Sequence, residues 1–303
     1  MSGHGGQIRG MGVGRWNAAG PLFVLPFLIG FAVFMLFPAG MSLYYSFTDY
    51  SMIEPPVWRG LENYRRLASD PVFWKVTRNT AVYALAAVPL SAALGLAIAM
   101  VLHARLRGGM WMLCAVYLPT LVPAVATAMV WLWMFNGELG LVNAALGLVG
   151  VRGPNWLQSV PWIMPSMVLI ALWGVGQSVV IFGAALRGTP KELYDAAEID
   201  GAGRIGGFLH VTAPMISPVA LFVVITGVIG AWQIFAVPYI MLGPGGGADR
   251  AGYFYASYLY DTAFGHLDMG YASAMAWVQL LLIMGLTALM LLVGRRLVFH
   301  RAG

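Results

Sequence analysis

The sequence predicts an all-α membrane protein with six transmembrane helices. Of its 303 residues, 60% are hydrophobic and only 10% are charged, whereas about a quarter of the residues of a soluble domain are charged. The hydrophobic residues also collect in long uncharged runs, and about 20 such residues in a helix cross the ~30 Å hydrocarbon core of a bilayer. Such a chain cannot cover itself with polar groups in water, which indicates an integral membrane protein.

Six apolar segments are long enough to cross a membrane as helices. The first is too long for the core of a signal peptide and no small-residue cleavage site follows it, so we expect it to remain as an anchor. Residues 1–20 are expected to form a flexible cytoplasmic tail, 21–296 the transmembrane domain, and 297–303 a second cytoplasmic tail. The predicted spans are 21–47, 79–102, 110–135, 161–186, 214–242 and 271–294.

The distribution of Lys and Arg favours an orientation with both termini in the cytoplasm. In that orientation ten of the 17 basic residues lie on the cytoplasmic side and seven on the external side. The external basic residues are concentrated in the long connection between the first two spans, and long connections weigh less in the positive-inside rule. Because the basic residues lie in connections and tails, the net charge of +5 does not indicate a nucleic-acid partner.

The predicted spans contain no Asp, Glu, Lys, Arg or His in their interiors. Proton-coupled carriers normally place such groups in the membrane despite their cost, so a proton-driven carrier is disfavoured. Sodium coupling through carbonyl and hydroxyl groups remains possible, although it would require broken helices in matching halves.

Nucleotide hydrolysis and catalysis by this chain are also disfavoured. Its two lysines, Lys75 and Lys191, do not follow glycine, so a phosphate-binding loop is absent. The single cysteine, Cys114, lies in an apolar run and forms no metal motif. No catalytic constellation is evident, and we expect a transport subunit that is not an enzyme and binds no metal or cofactor.

A polar segment at 187–213, between the fourth and fifth spans, has the pattern of a helical loop. Thr189 as N-cap, Pro190 in the first turn and Glu192 as capping-box acid predict the start of a helix that covers about 191–200. Gly201 can turn the chain where this helix ends, and a second short helix is expected to follow. Pro214 is expected to mark the entry to the fifth span.

The first of these two helices combines small apolar residues with a group of acids. Leu193, Ala196 and Ala197 fall at i, i+3 and i+4 spacing, where side chains share a helix face. A small apolar knob with a charged rim suits docking into a groove on another protein. The surrounding acids are Glu192, Asp195, Glu198 and Asp200.

At these residues the sequence resembles the permease family of binding-protein-dependent ABC importers. The family signature has an E-A-A triplet, a D-G-A, a downstream Phe and a Leu-Pro. Asp in place of the opening Glu and Ala in place of Leu are departures from it. The matching residues are Asp195-Ala196-Ala197, Asp200-Gly201-Ala202, Phe208 and Ala213-Pro214. Segments similar to the carbohydrate-uptake branch are Gly60-Leu61-Glu62-Asn63-Tyr64, 143–148 with Trp156-Leu157, Gly243-Pro244-Gly245, and Met269-Gly270-Tyr271-Ala272.

The resemblance implies a type I importer fold in the bacterial inner membrane, similar to the maltose and glycerol-phosphate permeases. It also implies a second homologous permease subunit, two copies of a cytoplasmic ATPase that uses ATP and Mg²⁺, and an extracytoplasmic solute-binding protein, all assembled in membrane lipid. The residues expected to couple to the ATPase are Glu192, Leu193, Asp195, Ala196, Ala197, Asp200, Gly201 and Ala202.

Polar and aromatic residues in the middle of the fourth and fifth spans are candidates for a solute pathway. Aromatic faces can stack on sugar rings, and Gln amides can hydrogen-bond to hydroxyls. The alternative is that these amides link helices and the tryptophans fill space. Because the spans contain no cation, a neutral sugar, oligosaccharide or polyol is favoured. The candidates are Trp173, Gly174, Gln177, Ser178, Trp232, Gln233 and Phe235.

A sodium-coupled carrier of a small neutral solute and a membrane scaffold or receptor remain as alternatives, but both leave the acidic loop helix without a role.

Overall fold

The computed structural model of the protein describes residues 19–104 and 108–297. The predicted tails, except for their innermost residues, lie outside the described residues. So do Arg105 and Arg107, which contribute to the predicted orientation.

The first membrane segment is helical with an internal π turn. Helix α1 (Ala19–Phe31), the π turn Ala32–Leu36 and α2 (Phe37–Tyr45) follow one another without a break. The chain then forms a two-residue antiparallel ladder of Thr48–Asp49 with Val57–Trp58. A short helix, α3 (Glu62–Ser69), leads to the second membrane segment.

The second segment, α4 (Pro71–His103), is a central 33-residue helix that packs against the fourth and fifth segments. It begins eight residues before the predicted span at residue 79, because Asp70 caps it by accepting a hydrogen bond from the Val72 N–H at 2.8 Å. Pro71 occupies its first turn, where a missing N–H costs nothing. The cap therefore extends the helix beyond the apolar run.

The third predicted span, 110–135, is not one straight helix. It consists of α5 (Gly109–Tyr117), a 3₁₀ turn at Leu118–Leu121, and α6 (Ala124–Met134), with a bend of 101° between the two halves. Pro123 has extended backbone angles (φ −56°, ψ 145°) and no N–H with which to continue the helix. A short helix, α7 (Leu141–Leu148), lies in the following connection.

The fourth span is also broken. Helices α8 (Val160–Trp173) and α9 (Gly176–Arg187) meet at a bend of 48°. A Cβ atom at Gly176 would lie 2.6 Å from the carbonyl oxygen of Val116. The break therefore requires glycine, because the third and fourth segments approach closely there.

The loop between the fourth and fifth spans is shorter than predicted. Helix α10 (Lys191–Ile199) stands alone, but α11 (Arg204–Gly207) continues through a π turn at Phe208–Thr212 into α12 (Ala213–Trp232). Pro214 lies in the first turn of α12, as expected for the start of the fifth span, but the π turn joins α12 to α11, so the helix itself begins earlier, at Arg204. After a break at 233–235, α13 (Ala236–Leu242) completes a 39-residue segment.

The last part of the chain begins with a glycine-rich connection that contains 3₁₀ turns at Pro244–Gly246 and Ala248–Arg250. Helix α14 (Tyr255–Tyr260), a π turn at Asp261–Gly265 and α15 (Met269–Leu297) follow. Because successive segments alternate in direction, the connections at 46–70, 135–159 and 243–268 lie at one end of the bundle, and α10 lies at the other. We call these the loop end and the α10 end.

The six predicted segments are confirmed as helical and apolar. Four helices are long and apolar enough to cross a membrane, and the two bent pairs raise the number to six. The core is centred on large residues such as Trp232, Tyr255 and Tyr271, and a second cluster around Val179 and Phe182 lies nearer the α10 end. Many large apolar side chains, such as Phe34 (79% exposed), remain on the outside, as expected for a surface in contact with lipid.

Candidate functional site

Helix α10 is a short exposed helix whose start differs from the prediction. Pro190, rather than Thr189, is the N-cap residue, and no side chain caps the helix. The Thr189 hydroxyl instead donates to the carbonyl of Ala185 at 3.4 Å. The predicted capping box is therefore wrong, although Glu192 does lie in the first turn, where its charge is favourable to the helix dipole.

The end of α10 is as the sequence predicts. Gly201 has φ +80°, a left-handed conformation that glycine adopts without strain. Its N–H donates to the Glu198 carbonyl at 3.0 Å, and the Ala202 N–H donates to the Ala197 carbonyl at 2.8 Å. These two bonds form a Schellman motif, so Asp200-Gly201-Ala202 is a structural stop signal that fixes the length of α10.

The residues of α10 divide between two faces. Tyr194 and Ala197 are half-buried against the base of the fifth segment, where the Tyr194 and Thr212 hydroxyls lie 3.0 Å apart. Leu193, 40% exposed, and Ala196 face outward. The predicted apolar knob is thus reduced to Leu193 and Ala196, with Ala197 on its inner side.

The acidic residues of α10 surround this outward face. Glu192, Asp195, Glu198 and Asp200 are all exposed. Within the described part of the chain, none of the ion pairs includes any of them. Ile199 beside them is 87% exposed. An apolar, acid-rimmed surface of this kind can bind a partner with a basic rim.

The predicted pathway residues of the fourth span lie at its break. Trp173 and Gly174 line a cleft of about 290 Å³ that also contacts Thr127 of α6 and Ile234. Ser178 lines a neighbouring cleft of about 150 Å³. It packs so closely on α4 that a Cβ atom at Gly95 would lie 2.8 Å from its own Cβ. Gln177 is exposed and lines neither of these clefts.

The predicted pathway residues of the fifth span lie at the second break, beside the same clefts. Gln233 is exposed and Phe235 is half-buried. The ring of Trp232, however, packs in the core and is only 4% exposed. Its carbonyl accepts a hydrogen bond from Gln279 Nε2 at 2.6 Å. Trp232 therefore packs in the core beside the break, and its ring lines neither of the two clefts.

A tyrosine and carboxylate network at the loop end was not predicted from the sequence. Asp70 accepts hydrogen bonds from the hydroxyls of Tyr258 and Tyr271, at 2.5 and 2.7 Å. Asp261, 7% exposed, accepts from those of Tyr239 and Tyr253, at 3.1 and 2.6 Å. The tyrosine-rich run at 253–260, followed directly by Asp261, was the available signal, but its other carboxylate partner, Asp70, lies 188 positions from Tyr258.

The ionisation of this network follows from its contacts. Burial raises the pKa of Asp70, but hydrogen bonds from Tyr258, Tyr271 and the Val72 N–H outweigh burial and leave that pKa below its ordinary value. Burial, together with the bond to Asp70, raises the pKa of Tyr258 to about 12. Asp70 is therefore held as the charged acceptor and Tyr258 as the neutral donor.

Ion pairs also join the first connection and the start of α4 to the last connection at the loop end. Arg66 pairs with Asp268, and Lys75 pairs with Asp249 at 3.0 Å. Asn79 donates to the backbone carbonyls of Arg250 and Tyr253. Among the described residues, no group of three or more His, Cys, Asp or Glu side chains is placed to hold a metal ion.

A bundle of broken membrane helices, with an exposed glycine-terminated helix before its fifth segment, agrees with the permease class that the sequence resembles. The chain belongs to the family described as binding-protein-dependent transport system inner membrane component, whose model matches residues 87–299. It is therefore a multi-pass inner-membrane protein of the ABC permease class. This membership supports the ABC permease interpretation over the sodium-coupled carrier that the sequence left open.

Curated relatives match the chain over nearly its whole length. It is 35% identical over 296 residues to the probable ABC transporter permease protein YesP of Bacillus subtilis, covering 96% of this chain and 95% of that protein. It is 31% identical to the sulfoquinovosyl glycerol permease SmoG of Agrobacterium fabrum, covering 89% and 88%. It is 32% identical to the trehalose/maltose permease MalF of Thermococcus litoralis, covering 91% and 93%.

A solved structure shows the same fold. A chain of the bacterial alginate ABC transporter, in complex with an alginate pentasaccharide-bound periplasmic protein, superimposes with a TM-score of 0.79 at 18% identity. The superposition covers 93% of this chain and 95% of that chain.

Proposed function

We propose that this protein is the permease subunit of an ATP-driven importer of a neutral sugar, oligosaccharide or polyol, and that it catalyses no reaction itself. The observation that supports this most directly is α10, whose exposed apolar and acidic surface is held at the base of the fifth membrane segment. Sugar import is supported by relatives described as transporting trehalose and maltose, lactose, and sulfoquinovosyl glycerol.

In this proposal α10 docks into a cytoplasmic ATPase that binds ATP and Mg²⁺. Leu193 and Ala196 would enter a groove of that partner, while Glu192 and Asp195 would pair with basic residues at its rim. The Schellman motif at Gly201 and Ala202 fixes where α10 ends, and Tyr194 joins α10 to Thr212 of the fifth segment. Movement of the ATPase can therefore reach the membrane helices through this contact.

The solute is proposed to pass at the two helix breaks. Non-helical backbone at membrane depth is tolerated only where protein buries it or where it lines a water-filled cavity. The breaks at Gly174 and at 233–235 lie beside the clefts that Trp173, Ser178 and Ile234 line. With Gln177, Gln233 and Phe235 close by, these positions offer both aromatic faces and amide groups to a sugar.

The proposed assembly contains four further components around this chain. A second homologous permease would complete the pathway, two ATPase copies would bind at the α10 end, and a solute-binding protein would dock at the loop end. This arrangement requires both termini and α10 to lie in the cytoplasm, with the loop end outside.

The test is uptake by the complete importer in proteoliposomes, with its own binding protein and labelled maltose, trehalose, lactose and maltotriose as probes. We expect uptake of at least one sugar with internal ATP, and none with a sodium gradient alone. Sodium-driven uptake without ATP would overturn the proposal, and so would the absence of ATP-driven uptake of every probe.

Two glycines near the end of α10 provide a matched pair of variants. A Cβ atom at Gly201 or Gly203 would meet no atom within 4 Å, but only Gly201 has a positive φ, +80°. Gly201→Ala would strain the backbone by roughly 1–2 kcal/mol and displace the end of α10, whereas Gly203→Ala would not. We expect several-fold lower uptake for Gly201→Ala at equal membrane insertion. Equal uptake by the two variants would contradict a coupling role for α10.

A further inference from the structure

Four aromatic rings form a continuous row that starts at the second helix break. Phe235 contacts Tyr239 and Tyr260 at centroid distances of 5.0 and 4.9 Å. Tyr260 in turn contacts Tyr239 at 5.2 Å and Phe264 at 4.9 Å. We call these four residues the aromatic track. They form two i, i+4 pairs, one at the start of α13 and one that runs from α14 into the π turn.

The track becomes more exposed as it leaves the break. Phe235 and Tyr239 are half-buried, Tyr260 is 38% exposed and Phe264 is 56% exposed. Its inner end adjoins the exposed amide side chain of Gln233. Its outer end lies in the π turn at the loop end of the bundle. The track therefore joins the proposed pathway to the side on which a binding protein would deliver its solute.

A buried carboxylate fixes the track from beneath. Asp261 accepts a hydrogen bond from the Tyr239 hydroxyl at 3.1 Å and is itself only 7% exposed. Asp261 also accepts from the Tyr253 hydroxyl and from the Gly245 N–H. The ring of Tyr239 is thus held in place before any ligand arrives, which reduces the entropy lost on binding.

The same carboxylate indicates what the track faces. An ionisable side chain so close to a surface that contacts hydrocarbon would be costly, so the exposed rings are expected to face water or protein rather than lipid tails. Flat, apolar rings bordered by an amide side chain suit a sugar, since its C–H faces stack on aromatic rings while its hydroxyls stay hydrated.

We propose that the aromatic track is a stacking surface along which a neutral sugar moves from the loop end to the break at Gln233. This inference depends on the proposed function. Adjacent similar rings give the sugar several weak positions in place of one strong site. Passage through a membrane protein requires binding that is strong enough for entry and weak enough for release, and several weak stacking positions in a row suit this requirement.

The test compares ring removal with ring retention in the complete importer. Tyr260→Ala and Phe264→Ala remove one stacking face each, whereas Tyr260→Phe and Phe264→Tyr keep it. Phe222→Ala is the matched control, because Phe222 is 54% exposed in α12 and is not part of the track. The probe is whichever of labelled maltose, trehalose, lactose and maltotriose the unaltered importer takes up fastest.

We expect Tyr260→Ala and Phe264→Ala each to reduce the ratio of maximal uptake rate to KM by about three- to tenfold, the effect of one aromatic stacking contact. The aromatic variants and Phe222→Ala are expected to transport normally. Co-purification with the second permease and ATP hydrolysis without sugar should be unchanged in all five variants.

Two results would overturn the proposal that the aromatic track is a stacking surface. One is normal uptake by both Tyr260→Ala and Phe264→Ala. The other is loss of the second permease from the complex of either Ala variant, which would mean that the rings are a subunit contact. If the unaltered importer takes up no sugar, the proposed function fails instead, so the two failures are distinguishable.

Discussion

The two ends of the bundle are stabilised in different ways. At the loop end, Asp70 and Asp261 together accept hydrogen bonds from four tyrosine hydroxyls, and two ion pairs join residues that are far apart in sequence. At the α10 end, the side-chain contact that joins α10 to the bundle is the hydrogen bond between Tyr194 and Thr212. Its four carboxylates are exposed and belong to none of the described ion pairs.

This difference indicates that more side-chain bonds within the chain fix the loop end than fix α10. Stability is not uniform across a protein, and elements that move have few buried contacts. In the proposed importer, α10 would transmit force from the ATPase and would need to be free to shift with it. The loop end, in contrast, has the internal bonds of a rigid support.

Removal of one carboxylate from each end should give the largest difference. Asp261→Ala leaves two tyrosine hydroxyls and the Gly245 N–H without their acceptor, and an unsatisfied buried group costs about 1–3 kcal/mol. We expect a loss of several kcal/mol, measured as a lower midpoint of thermal unfolding in detergent. Asp195→Ala at the exposed face of α10 should change stability by less than about 0.5 kcal/mol. Equal effects at the two ends would refute the comparison.

A smaller effect is expected from pH at the loop end. The folded pKa of Asp70 is lower than its unfolded value of about 3.9, so Asp70 contributes stability above that pH and loses it as the pH falls through the folded pKa. Tyr258 has a raised pKa of about 12, so its contribution is lost as the pH rises from about 10. Thermal midpoints of the unaltered protein and Asp70→Asn between pH 3 and 7 should converge at the acid end. A difference that is constant over this range would exclude the pKa shift as the cause.

Only a small effect on stability is expected at the contact of α10 with the fifth segment. Tyr194→Phe removes one hydrogen bond, worth about 0.5–1.5 kcal/mol, and should hardly change the unfolding midpoint. We nevertheless expect more ATP hydrolysed per sugar imported, because the link between α10 and Thr212 is weakened. Tyr117→Phe, at a residue 37% exposed in α5, is the control. An unchanged ratio of hydrolysis to uptake would show that this bond does not take part in coupling.

Local signals in the sequence predicted much of the fold. Apolar runs identified the six segments, because about 20 apolar residues are needed to cross the bilayer. Gly201 identified the end of α10, since a left-handed residue is required there. Pro123 and Gly176 were visible in the sequence, but the size of the bends at these breaks depends on packing between segments.

Other features could not be predicted, because they depend on distant residues. Asp70 and Tyr271 are 201 positions apart, and no local pattern indicates their hydrogen bond. The continuity of the fifth segment was missed because Pro214 indicates the start of a new helix, whereas α11 runs through a π turn into α12. The burial of Trp232 in the core likewise depends on neighbours from other segments.

The early start of the fifth segment has a mechanical consequence. From Arg204 to the break at Gln233 the chain is one helical rod of about 40 Å, at a rise of about 1.5 Å per residue. A tilt of about 5° around its foot would swing the far tip by roughly 4 Å. A small displacement at the membrane surface is thereby amplified deep inside the bilayer.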